Sequence, residues 1–263
     1  MLPRISTVEC QDVNFLLFAT NDVISNALFR TGKWEGHLIQ LSKFYLSKIE
    51  NPLILDIGAN LGAYSVPLAK HVQNTGGKVI GFEPQRIVFY QLCANVILNR
   101  LDNYHPIYSA VGEVVGEVDI PEIDYEKNVN IGAFSFSKQY RELHGIEGSM
   151  KKSSTKVPMI NLDSYEFEKP PALIKIDVEG FELAVLKGAV NFLKNSNFPL
   201  MLFEAWDFDW FKKDREELLA FVKNLGYEIT KLSPTEYAAQ HPNNPVHVEF
   251  TSNSDGTIKM SVK

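Results

Sequence analysis

An aspartate, two glycines and an asparagine stand close together as Asp56, Gly58, Asn60 and Gly62, and a glutamate follows at Glu83. The apolar run over 53–55 reads as a parallel strand buried on both faces, with a helix over 63–72 after it. Glycines at 58 and 62 let the backbone turn tightly between the two and come close to a ligand. A dinucleotide of the NAD type asks for G-x-G-x-x-G at such a turn, with its pyrophosphate on the helix N-terminus. Here Asn60 replaces the second glycine, and Asp56 at the strand end repels a pyrophosphate. The same carboxylate suits S-adenosylmethionine (SAM), whose methionyl part carries an ammonium and a sulfonium cation. A second apolar strand over 78–82 ends in Glu83, at the separation where an acid accepts ribose hydroxyls in such folds. The plainer alternative makes Asp56 a helix cap and Glu83 a solvated loop charge. It accounts for each residue alone but not for strand, turn, helix, strand and acid in succession.

Ligands of open parallel sheets bind beyond the carboxyl ends of the strands, and acids recur there: Asp56, Glu83, Asp177 and Glu204 each end an expected strand. Asp56, Gly58, Asn60 and Gly62 then shape the methionyl and ribose side, while Ser109 and Ala110, with Val111, flank the adenine. Asp177 or Glu179 is placed to orient or deprotonate an acceptor, with Glu204 nearby and Gly180 allowing a sharp turn. The competing assignment is an N-cap acid followed by first-turn glutamates that complement the helix dipole. His241, between the last expected strands, is a further candidate to reach the acceptor. Asp177, Glu179 and Glu204 are also hard oxygen ligands of the kind Mg²⁺ or Ca²⁺ takes, but their spacing does not establish a metal, and none is assigned.

Several segments follow one another in a characteristic order: Trp34-Glu35, Asp56-Ile57-Gly58-Ala59-Asn60-Leu61-Gly62, Glu83-Pro84, Asn95 with Asn99, Asn161-Leu162-Asp163-Ser164, and Lys175-Ile176-Asp177-Val178-Glu179-Gly180-Phe181-Glu182. In these the chain resembles the FkbM-type SAM-dependent methyltransferases, over about Gly32 to Glu204. The resemblance implies an α/β fold with a Rossmann-like, doubly wound, mostly parallel sheet of seven strands, the last of them antiparallel. It places Trp34 and Glu35 beside the cofactor and Pro84 next to Glu83; Glu35 either pairs with the methionyl ammonium or is a surface charge. Such relatives commonly methylate hydroxyls of sugars and polyketides, which implies O-methylation of a sugar, glycan or small polyhydroxylated metabolite. N-methylation of a small molecule and a non-catalytic SAM-binding protein are the alternatives.

These residues need a frame to hold them. Apolar strand runs alternate with amphipathic helices, as in a parallel sheet covered on both faces. Beyond the first two strands, a helix is expected over 85–99, with Asn95 and Asn99 on one solvated face, and a third strand over 107–111. Strands over 172–176 and 200–203 with a helix over 185–193 between them follow, then a helix over 215–225 and strands over 228–232 and 246–250. Residues 1–50 read as an N-terminal helical segment and 51–250 as the SAM-binding core of one domain covering 1–263. The polar stretch 112–157 reads as a substrate-side insertion, a β-ribbon built on 117–120 and 131–136, with a mobile loop over 145–156. Trp206, Phe208, Trp210 and Phe211 either stack on a sugar or pack a helix.

Composition bounds the rest. The chain has 263 residues, 45% of them hydrophobic, enough for one substantial core. A net charge of −6 and pI near 5.6 argue against a nucleic-acid backbone as the main partner. Two well-separated cysteines, Cys10 and Cys93, fit reduced thiols, and neither a membrane-length apolar run nor a signal-peptide pattern occurs. A cytoplasmic enzyme with a small-molecule or glycan acceptor is the expectation.

Overall fold

The computed structural model describes every residue except 1, 2, 11, 126, 128, 129, 133, 134, 136, 253–257 and 263. A hairpin of β1 (Ile5–Cys10) and β2 (Val13–Phe18) precedes α1 (Val23–Thr31) and α2 (Gly36–Leu46). The first half of the core is β3 (Leu53–Ile57), α3 (Ser65–Val72), β4 (Lys78–Phe82), α4 (Arg86–Leu98) and β5 (Tyr104–Ile107). An insertion follows, made of β6 (Ala110–Val111), β7 (Gly116–Ile123), α5 (Lys138–Leu143) and β8 (Met150–Ile160). The second half is β9 (Leu173–Ile176), α6 (Glu182–Lys187), α7 (Val190–Asn195), β10 (Leu200–Glu204), α8 (Lys212–Asn224), β11 (Glu228–Lys231) and β12 (Glu236–Gln240). A hairpin of β13 (Val248–Ser252) and β14 (Ile258–Val262) comes last.

Seven strands form one sheet in the order β11-β12-β10-β9-β3-β4-β5. From β10 to β5 every pairing is parallel, and β12 runs antiparallel between β10 and β11. This is the mostly parallel α/β sheet that the sequence implies. Alternation along β3 sends Ile54 into one core, with Phe15, Leu41, Leu68 and Leu92, and sends Leu53, Leu55 and Ile57 into the other, with Val185, Leu193 and Val222. Burial on both faces is why these strands read as unbroken apolar runs.

The structure departs from the sequence reading in five places. Residues 1–50 contain the β1–β2 hairpin as well as two helices, because Val13, Phe15 and Leu17 alternate inward. The third sheet strand is Tyr104–Ile107, not 107–111; Pro106 masks it, yet is tolerated because β5 is the sheet's edge. The helix expected over 185–193 is two short ones that break around Gly188. The run over 145–156 largely belongs to β8, whose polar residues face solvent while the strand pairs with β7; of the piece at 131–136, Ile131 and Gly132 lie in a bend and three residues fall outside the described set. Finally, the antiparallel sheet strand is Glu236–Gln240, whereas the expected strand over 246–250 falls in the terminal hairpin. Among the described residues no helix is long and apolar enough to cross a membrane.

Candidate active site

The turn after β3 is built on its neighbours' carbonyls. The N–H groups of Gly58 and Ala59 both donate to the Phe82 carbonyl, at 3.0 and 2.9 Å. Gly58 has φ +86°, and a Cβ there would stand 1.8 Å from the Asp177 carbonyl oxygen, so no other residue fits. Asn60 adopts a left-handed φ of +51° and donates its N–H to Glu83 Oε2 at 2.9 Å, while Gln85 N–H donates to Glu83 Oε1 at 2.8 Å. Burial pushes the Glu83 carboxyl up to about 7 despite these two donors. Each of its oxygens keeps a lone pair, which a ribose hydroxyl can use. Asp56 is 1% exposed and neither oxygen has a hydrogen bond. The nearby Ser65 hydroxyl is engaged with Tyr104 at 2.8 Å. Burial raises the Asp56 pKa, and Lys175 and the Ser65 hydroxyl beside it only partly offset that. An orphaned buried carboxyl is costly unless something answers it, and a cationic ligand in the adjoining cavity would.

The second group of acids comes from β9, β10 and the turn before α2. Lys175 on β9 is buried, donates to Asp177 Oδ2 at 2.8 Å and lies 3.3 Å from Glu35 Oε2, with the Tyr64 ring 5.1 Å away. Burial opposes its charge, but the carboxyls of Asp177, Glu35 and Asp56 outweigh that and hold the ammonium well above its ordinary pKa. Burial lifts Glu35 to about 7, with Lys175 drawing it down. After Asp177 the chain turns through Glu179 (φ +53°) and Gly180 (φ +94°). The Glu182 carboxylate locks that turn by accepting from Val178 and Gly180 N–H at 3.1 and 3.2 Å. Burial raises Glu179 and Glu204 well above the carboxylate range, reinforced by the charge of Asp177. The Tyr140 hydroxyl of α5 stands near Glu179 and draws its pKa down, and Trp206 Nε1 donates to Glu204 Oε2 at 3.0 Å. Asp177 is not a helix cap; the residue at the α6 N-cap is Phe181, which makes no side-chain cap bond.

A cavity of about 290 Å³ lies at these strand tips. Glu35, Asp56, Gly58, Asn60, Glu83, Pro84, Ser109, Ala110, Asp177, Glu179 and Glu204 all line it, as does Trp34. The Ser109 hydroxyl is committed to the Ala110 and Pro158 carbonyls, so it anchors the insertion rather than offering a donor. Gly62 is not at the cavity: its missing Cβ makes room for Val66 and Leu92 where α3 meets α4. His241 is not brought there either. Because β12 is antiparallel, its end lies at the N-terminal tips of the parallel strands, away from the cavity, where the imidazole stacks on Phe198 at 3.7 Å. Asn95 and Asn99 are buried rather than solvated: Asn95 accepts from Leu16 N–H and Asn99 bonds both polar groups of Asn14, clamping β2 to α4. Trp206 and Phe211 pack with Tyr140, which stacks on Trp206 at 4.0 Å, and Trp210 stays partly exposed.

Lining residues with chemistry that escape a reading of the sequence include Lys175, Tyr140 and His144. Lys175 left a signal, since a lysine inside an otherwise apolar buried strand needs a buried partner. Tyr140 and His144 left none, because the insertion brings them from a polar stretch without a motif. Glu35, Asn60 and Glu179 are non-glycine residues with left-handed backbone, and all three face this one cavity. Such conformations cost about 1–3 kcal/mol each and gather at functional sites. Among the described residues no set of three or more His, Cys, Asp or Glu is arranged to hold a metal ion.

A parallel sheet with an acid-lined crevice at its strand tips, and no pyrophosphate turn, defines a SAM-dependent methyltransferase of the Rossmann-like class. Residues 56–229 match the model of the methyltransferase FkbM domain. The hexuronic acid methyltransferase AglP of Haloferax volcanii is 30% identical over 191 residues, 71% of this chain and 69% of that protein. A tRNA(Phe) (4-demethylwyosine(37)-C(7)) aminocarboxypropyltransferase of Methanocaldococcus jannaschii is 24% identical over 55% of this chain and 59% of its own. The crystal structure of methyltransferase FkbM from Methylobacillus flagellatus aligns with a TM-score of 0.46 at 18% identity, over 75% of this chain and 50% of that one. The chain belongs to the FkbM methyltransferase family. Its cofactor is SAM, and the residues present fit it: Asp56 and Glu35 would answer the methionyl cations, and Glu83 the ribose.

Proposed function

We propose that this chain O-methylates a hydroxyl of a sugar, glycan or other polyhydroxylated acceptor. The observation that carries the reading is the group of Asp177, Glu179 and Glu204, gathered on the opposite side of β3 from Glu83. A protonated hydroxyl is a poor nucleophile, so a carboxylate within hydrogen-bond reach has to take its proton. Bound SAM supplies a methyl group already activated by its sulfonium. The Lys175 ammonium orients Asp177, and the insertion's Tyr140 orients Glu179. Burial raises the basicity of Glu179 and Glu204, so either of them, when ionised, can take the hydroxyl's proton. Alignment of the attacking oxygen with the methyl group supplies the rest. The relative that acts on hexuronic acid supports a sugar acceptor. In this reading the insertion over 112–157 closes the acceptor side.

The test is a panel of neutral pyranosides and uronosides incubated with protein and SAM, with S-adenosylhomocysteine and the methylated product followed by mass spectrometry. A sugar methyl ether is expected; a panel left unmodified while an amine acceptor turns over would sink the reading. Asp177→Asn is expected to keep SAM affinity and lower turnover by about 100-fold or more. Undiminished turnover removes Asp177 from the chemistry.

A further inference from the structure

Beside the active-site cavity opens a groove of about 480 Å³, within the range of small-ligand pockets. The two spaces share Glu179 and Phe181 in their linings, so the groove lies directly beside the acid cluster. Trp206 and Phe211 form its buried aromatic wall, while Phe181 and Trp210 are 39% and 36% exposed. Trp210 is held flat by stacking on Phe208 at 5.3 Å and 8°. Around these rings stand Ser137, Gln139, Lys187 and Asp214, short of apolar cover and rich in donors and acceptors. Gly180 is part of the design: its φ of +94° and missing Cβ let Trp206 close against the turn that carries Glu179.

Flat aromatic faces edged by hydroxyl, amide and carboxylate groups match a pyranose, which offers an apolar face and a rim of hydroxyls. The charges narrow the class further. Among the described residues Glu113, Glu179, Glu182 and Asp214 line the groove against one cation, Lys187, and that ammonium is already 3.4 Å from Glu217. A phosphate or a carboxylate in the groove meets like charge, whereas a neutral sugar does not.

We infer that this groove is a second sugar subsite: the acceptor is a glycan of at least two residues, with its reacting sugar at Glu179 and a neutral neighbouring sugar against Phe181 and Trp210. The inference rests on the sugar reading given above. It makes Trp210 and Gln139 determinants of acceptor length rather than of the methyl transfer.

The experiment compares neutral methyl hexopyranosides of the gluco, galacto and manno series with their disaccharide counterparts, in the full chain and in Trp210→Ala and Gln139→Ala. The disaccharide of the accepted series should show a kcat/KM about tenfold higher than its monosaccharide, through KM, and Trp210→Ala should erase most of that ratio. Gln139 is exposed, so its variant folds as the parent does, and it should lower the ratio by about threefold. Equal kcat/KM for mono- and disaccharides, or a ratio untouched by both variants, overturns the subsite and leaves the sugar reading standing. Fluorescence titration of S-adenosylhomocysteine-loaded protein with the same disaccharides separates the converse case: binding that Trp210→Ala abolishes, without methylation, keeps the groove and sinks the hydroxyl-transfer reading. Neither binding nor methylation of any member, with the uronosides also left unmodified, overturns both.

Discussion

The tips of β3 and β4 and the tips of β9 and β10 carry acids at equivalent places, yet the two halves are held by different means. On the cofactor half, main chain answers side chain: Glu83 takes N–H groups from Asn60 and Gln85, and the Gly58 turn rests on the Phe82 carbonyl. On the acceptor half, side chains answer side chains: Lys175 holds Asp177, Tyr140 stands beside Glu179, and Trp206 meets Glu204, while the same lysine reaches Glu35 on the cofactor side. Backbone geometry leaves little freedom of residue type, whereas side-chain partners drawn from an insertion and a C-terminal loop can be exchanged. In the proposed reading the first half serves one ligand that does not vary and the second serves the acceptor, with Lys175 and the contact of the Gly58 turn on the Asp177 carbonyl joining them.

The sharpest way to break this contrast is at the turn itself. Gly58→Ala puts a methyl group 1.8 Å from the Asp177 carbonyl in a left-handed conformation. It should destabilise the protein by about 3 kcal/mol or more and abolish measurable SAM binding, read by thermal melting and calorimetry. A variant that melts like the parent and binds SAM would show that the turn tolerates movement, and the contrast would fail. Glu83→Ala is a smaller perturbation, since it removes one ribose partner and frees two N–H groups. SAM affinity is expected to fall by about 10- to 100-fold with little change in kcat at saturating SAM. An unaltered affinity removes the ribose assignment.

The same contrast explains what the sequence disclosed. Asp56, Gly58, Asn60 and Glu83 lie within one strand-turn-helix-strand unit, so local pattern suffices to place them. Asp177 and Glu204 follow from the general rule about strand ends. Gly62 sits in the same unit but serves helix packing, a distinction that needs the third dimension. His241 was misplaced because the alanine-rich strand Glu236–Gln240 has little strand character, and without it the chain's direction past the sheet edge is lost. Tyr140 and His144 come from 112–157, where no periodicity marks the positions that face inward. Asn95 and Asn99 share a helix face as expected, but only the hairpin against which they pack turns that face from solvated to buried.

A pH experiment sharpens the comparison with a more modest effect. Burial raises Glu35 and Glu83 from 4.5 to about 7, so the folded, SAM-free protein binds more protons than the unfolded chain between those values. Their contribution to stability is thus complete below about pH 4.5 and lost as pH rises through 7. Melting of SAM-free protein should accordingly show these two groups favouring pH 5.5 over pH 8, a difference that Glu83→Gln reduces. A cationic ligand favours the ionised carboxylates, so SAM should bind severalfold more tightly at pH 8 than at pH 6 and release protons on binding. Calorimetry in buffers of different ionisation enthalpy counts those protons, and proton uptake instead of release contradicts the assignment.

The smallest expected effect tests the other half alone. Tyr140→Phe keeps the ring that stacks on Trp206 at 4.0 Å and deletes only the hydroxyl that meets Glu179. Burial, followed by the charge of Glu179, already holds that hydroxyl above its ordinary pKa, so it acts as a donor and not as a base. Its loss leaves Glu179 in place but free to rotate, at a cost of about 1 kcal/mol in orientation, or roughly fivefold in kcat. SAM affinity and melting temperature should not change, because no main-chain contact of the cofactor half depends on the hydroxyl. Were SAM binding to weaken in step with turnover, the two halves would be coupled through Glu179, and the independence that lets one half vary while the other stays constant would not hold.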